Sequence, residues 1–128
     1  MITVSGKYRL ANDLIGCDQF GVSIQSSNVT LLLNGYTISG QSAGGGTGVL
    51  VAPRSPGATG LSNATITGPG VITNFTVVAC IDFVATSSST VEGITCTGND
   101  FGFSIAFDST NNIFKGDTAN GNRYGFGV

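Results

Sequence analysis

Shifted by 23 residues, the C-terminal part of the chain matches itself. Gly93 falls on Gly116, Thr95 on Thr118, Gly98 on Gly121 and Asn99 on Asn122. Phe101 then falls on Tyr124, Gly102 on Gly125, Phe103 on Phe126 and Ile105 on Val128. A unit this short, holding only two or three β stretches, has no partner for its own apolar face. It is buried only when one copy stacks on the next. Earlier segments obey the same grammar with longer insertions. Each opens on a short alternating strand: Gly21-Val22-Ser23-Ile24, Gly48-Val49-Leu50-Val51, Ala79-Cys80-Ile81-Asp82-Phe83 and Phe103-Ser104-Ile105-Ala106-Phe107. A polar turn follows, such as Ser26-Ser27-Asn28 or Ser109-Thr110-Asn111-Asn112, and then a second alternating stretch that ends in Gly or Asn.

The expected fold is therefore all-β, a right-handed parallel β-helix of about five rungs, in which each strand pairs with its equivalent about 4.8 Å along the axis. An antiparallel sandwich also has many strands and regular turns, but it gives no reason for side-chain type to recur at a fixed offset. Residues 1–128 read as one domain, with 1–17 as an N-terminal cap in which Tyr8, Leu10 and Leu14 cover the first rung, and 18–128 as stacked rungs. Alternation sends Val22, Ile24, Val49, Val51, Ala79, Ile81, Phe83, Phe103, Ile105 and Phe107 inward, with Phe83, Phe107 and Phe126 as an internal aromatic stack. Ser23, Leu50, Cys80, Asp82, Ser104 and Ala106 are expected to face out. Gly125-Phe126-Gly127-Val128 leaves the C-terminal end open, and a self-complementary contact there predicts a homodimer through the last rungs.

Composition agrees and excludes several classes. Charged residues are 9% of the 128, hydrophobic residues 41%, and glycine reaches 20, which suits short strands and tight turns. Five scattered cations (Lys7, Arg9, Arg54, Lys115, Arg123) form no basic stripe, so nucleic acid is not an expected partner. No apolar run is long enough to span a bilayer, so no membrane partner is expected either. Met1-Ile2-Thr3-Val4-Ser5-Gly6 lacks the regions of a signal peptide, which leaves a cytoplasmic protein or one with its leader removed. Three cysteines (Cys17, Cys80, Cys96) leave at least one unpaired and argue against a disulfide framework. Cys80 is read as outward, Cys96 as inward and both as unreactive, while a partner for Cys17 stays open.

Two phrases carry a resemblance: Asn28-Val29-Thr30-Leu31-Leu32-Leu33-Asn34-Gly35-Tyr36-Thr37-Ile38-Ser39-Gly40 and Ile66-Thr67-Gly68-Pro69-Gly70-Val71-Ile72. The chain resembles the secreted parallel β-helix repeat proteins, the pectate-lyase-like group that includes polysaccharide lyases, polygalacturonases, alginate epimerases and NosD-like proteins. The resemblance implies a fold more than an activity, because the phrases are structural. In the resembled families the reactive groups cluster on outward strand positions of consecutive rungs. Here Asp82 is the one acid or base on those positions, with no partner on neighbouring rungs, and it reads as a solvated surface carboxylate. The chain has no His, and no Lys or Arg lies on that strand.

The function expected is a non-catalytic module for assembly or binding, with carbohydrate as its ligand and Tyr36, Phe75 and Tyr124 as candidate aromatic platforms. The alternative is a carbohydrate-active enzyme completed by further rungs or a second copy. In that case the loop Gly40 to Gly48 and the insertion Pro53-Arg54-Ser55-Pro56-Gly57 overhang a groove, with Arg54 as its cation and Asp82 as its acid. No cofactor is expected beyond a weak calcium site at Asp100 and Asp108, which otherwise serve as turn formers. Asp117 reads as structural, half-buried and hydrogen-bonded at a bend. The third alternative is ice binding. Thr37-Ile38-Ser39, Val71-Ile72-Thr73, Thr95-Cys96-Thr97 and Thr118-Ala119-Asn120 align as two outward rows of mostly hydroxyl side chains, though β-propensity alone also favours Thr there.

Overall fold

The computed structural model describes residues 1–41, 45–55 and 57–128. Alternation and turn chemistry produce fifteen strands among the described residues, three to a coil. Coil one holds β1 (Gly6–Arg9), β2 (Leu14–Cys17) and β3 (Phe20–Ile24); coil two holds β4 (Val29–Leu32), β5 (Thr37–Gly40) and β6 (Thr47–Val51). Coil three holds β7 (Leu61–Ser62), β8 (Thr65–Thr73) and β9 (Ala79–Val84), and coil four β10 (Thr86–Ser87), β11 (Thr90–Thr97) and β12 (Phe101–Ala106). Coil five closes with β13 (Ile113–Lys115), β14 (Thr118–Asn120) and β15 (Tyr124–Gly127).

Every strand pair is parallel, and like positions sit over one another. One sheet runs β1-β4-β8-β11-β13, with β2 and β5 stacked beneath the second half of β8 and β14 above the second half of β11. A second runs β3-β6-β9-β12-β15, and a third, at one corner, is β7-β10. The chain is thus a parallel β-solenoid of about five turns. The 23-residue offset survives as register: Thr95 opposes Thr118, Phe101 opposes Tyr124 and Phe103 opposes Phe126. Residues 1–17 contribute β1 and β2 to coil one, where Leu10 joins the core and Tyr8 and Leu14 pack against it.

The core is a set of axial layers. Ile38, Ile72 and Cys96 form one, Val49 and Ile81 another, and all five are fully buried. The aromatic stack runs Phe83–Phe114–Phe103–Phe126, with successive centroids 5.5, 5.2 and 5.4 Å apart. Phe114 therefore takes the place expected of Phe107, which is 77% exposed. The reason is a corner of unequal length. Val84 opposes Ala106. The Oγ of Ser109 then donates to the Ala106 carbonyl as the Oγ of Thr86 does to Val84. Coil three fits one residue (Ala85) between those points, whereas coil four fits two (Phe107 and Asp108). The extra residue breaks the two-residue alternation and turns the Phe107 ring outward.

A second departure concerns the start of the β3–β6–β9 wall. Cys80 was expected to face out; instead both Cys80 and Ile81 are fully buried. The equivalent glycines show why. A Cβ on Gly21 would collide with Ile38 Cγ2, and one on Gly48 with Ile72 Cγ2, so this position points across the core. Where the wall carries Cys80, the facing residue is Cys96 in place of Ile, and the two form a disulfide with Cα atoms 5.8 Å apart. The expectation of unpaired, inert thiols at both positions is therefore wrong. Cys17 alone stays a free thiol, and burial pushes its pKa up.

Candidate functional site

The insertion after β6 stands out from the wall of the coil and encloses a cleft of about 520 Å³. One side is formed by Ala52, Pro53, Arg54, Ser55, Gly57 and Ala58 of the insertion. The other comprises Val84 and Ala85 at the corner after β9, and Phe107 and Asp108 at the corner after β12. Pro56, part of the expected overhang, lies outside the described residues, as do 42–44 of the expected second loop. A second cleft of about 440 Å³ shares Ala58, Ala85 and Asp108 with the first and continues past Ser62, Ser87 and Thr110. Together they form one groove that crosses three coils. Ser62 and Ser87 are paired in register and Thr110 follows one coil on, where its carbonyl accepts from the Ser88 N–H. The floor is thus a ladder of hydroxyls.

The left-handed backbone at Ala85, Phe107 and Asp108 (φ 47°, 49° and 57°) shapes this corner. For a bulky residue such as Phe that region is unfavourable by about 1 kcal/mol, and an exposed ring recovers little of it. Arg54 and Asp108 are both exposed, and neither takes part in an ion pair among the described residues. The groove therefore offers an apolar stretch with an aromatic residue, one cation and one carboxylate, continued by a row of hydroxyls.

The other sequence-derived candidates do not gather here. Phe75 is fully buried, so its ring presents no face to a ligand. Tyr36 is half-buried and packs on the core. Tyr124 stacks on Phe101 with centroids 4.8 Å apart and is covered by the Arg123 guanidinium at 5.1 Å. Asp100 pairs with Arg123 at 3.7 Å. It and Asp108, read as turn formers with a weak calcium site as the alternative, flank opposite ends of β12, roughly 20 Å apart by strand rise, too far to share one ion. No group of three metal-ligating side chains occurs among the described residues.

Asp82 also differs from its expected solvated state. It is 9% exposed, and its Oδ1 is buried without a hydrogen-bond partner. Along the axis it sits between Leu50 and Ser104. Loss of solvent raises its pKa, and a hydrogen bond from Ser104 offsets part of that. It lines neither cleft. Asp117 behaves as expected: its Oδ1 accepts the Ile94 N–H at 2.8 Å, while burial pushes its pKa up.

The signal that sequence reading missed was local. Phe107-Asp108 occupies a corner one residue longer than its counterpart, directly opposite the one long insertion carrying a cation. No protein-family model, curated protein or solved structure matches the chain.

Proposed function

We propose that this chain is a non-catalytic binding module whose corner groove takes carbohydrate. The observation that carries the reading is Phe107: an aromatic ring held out into solvent at a left-handed corner, on the wall of a groove whose first part is mainly apolar (Ala52, Pro53, Ala58, Val84, Ala85) and carries Arg54 and Asp108, and whose second part adds the hydroxyls of Ser62, Ser87 and Thr110. Sugars match such a site, with apolar C–H faces for the ring and hydroxyls for the ladder. Asp108 is the only carboxylate lining either cleft among the described residues. That favours binding over hydrolysis, because glycoside hydrolysis ordinarily needs two flanking carboxylates.

The test is calorimetric titration with a panel of soluble polysaccharides, neutral and acidic. Phe107→Ala and Arg54→Ala should each weaken the best binder by about tenfold or more, with melting temperature unchanged, since both side chains are exposed. No binding across the panel, or full binding by Phe107→Ala, would reject the site. A new ultraviolet absorbance on uronate polymers would instead favour the lyase alternative.

A second reading rests on the threonine face. Thr37, Val71, Thr95 and Thr118 align in one row, and Ser39, Thr73, Thr97 and Asn120 in another, as the ice-binding alternative requires. Measured thermal hysteresis, abolished by Thr95→Lys, would support it; ordinary colligative freezing would remove it.

A further inference from the structure

We propose that the Cys80–Cys96 bridge is a redox-sensitive pin that holds the groove corner in shape. The inference rests on the groove described above as a structural unit, and its readout does not require that the groove bind sugar. The bridge closes a ring with a sequence separation of 16, and that ring contains Val84, Ala85 and Ser87, which line the groove. β9 leads from Cys80 directly into that corner, and β11 leads from it to Cys96.

The coils on either side show what the bridge replaces. Gly48 faces Ile72, and no Cβ fits at Gly48 because Ile72 Cγ2 and the Cys80 carbonyl oxygen occupy the space; at the next coil a Cβ on Gly102 would lie 3.0 Å from that of Ala119. In both coils the layer thus holds a side chain on one wall against none on the other, Ile72 against Gly48 and Ala119 against Gly102. Cys80 and Cys96 fit because their sulfurs are bonded. Reduction by a dithiol breaks the Sγ–Sγ bond. The dithiol supplies two electrons and two protons, becomes a cyclic disulfide, and leaves two thiols. Unbonded sulfurs cannot stay at bonding distance, and both side chains are fully buried in a packed layer. One wall must move, and β9 carries that movement into Ala85.

The experiment compares backbone hydrogen exchange of the intact chain before and after dithiothreitol, with thiol titration rising from one (Cys17) to three. Amides of Ala85, Thr86 and Ser88 should exchange about a hundredfold faster in the reduced protein, while those of β1 and β4 keep their rates. The variant C80G/C96I restores the glycine–isoleucine pairing of the neighbouring coil and should keep the corner protected with or without reductant. Unchanged corner exchange on reduction, uniform acceleration through coil one, or a corner in C80G/C96I as labile as in the reduced protein would each overturn the proposal.

Discussion

Asp82 shows how much a single side chain on the outer wall can cost. Its carboxylate is desolvated and one oxygen has no partner, so its folded-state pKa lies above the ordinary value. The folded protein then binds more protons than the unfolded chain between those two values, so stability falls as pH rises through that window and stays lower above it. Asp82→Asn keeps the shape and removes the charge. At neutral pH it should stabilise the protein by about 1 kcal/mol, and the gain should vanish below the ordinary carboxylate range. Denaturant midpoints at acidic and neutral pH measure this; an equal effect at both would show that charge is not the cause.

At the scale of elements, the corners are held by side chains that substitute for missing strand bonds. Asn99 is buried, accepts the Phe75 N–H at 2.9 Å, and donates to the Ile72 carbonyl at 3.1 Å. Asn122 repeats this one coil on, accepting the Asn99 N–H and donating to the Cys96 carbonyl. Ser89 and Asn112 act alike at another corner, where Ser89 Oγ accepts the Ala64 N–H and Asn112 Oδ1 the Ser89 N–H. Asn99→Ala leaves a buried N–H and C=O unpaired and should cost about 2 kcal/mol, read as a lower melting temperature. Asn122→Ala, in a half-buried place, should cost less. The strands were legible in the sequence because alternation and the 23-residue offset both report on stacking. The corners were legible only as polar turns. A change of one residue in corner length reverses which side chains face out, as at Phe107, and no local propensity encodes that. The disulfide was hidden for a related reason: alternation places Cys80 outside, and only the row of glycines at Gly21, Gly48 and Gly102 reveals that the position turns across the core.

For the whole molecule, the last coil differs from those inside. Phe126, Ile113 and Tyr124 are 51%, 55% and 45% exposed, whereas the equivalent residues one coil earlier are buried or half-buried. Self-association through this face of β15 is the proposal at this scale. Light scattering at micromolar concentration should return twice the chain mass for the protein and a lower mass for Phe126→Ser; one chain mass for both would reject it.

The described residues between Ala52 and Leu61, the single Ala85 and the pair Phe107-Asp108 occupy matching corners of three successive coils, between strands that stay in register. If the groove binds as proposed, ligand contact falls to the bends and stacking to the layers, with the Cys80–Cys96 bridge joining the two. Lengthening or trimming a bend rewrites what the edge displays, and the interior answers locally, as Phe114 does where Phe107 turns out.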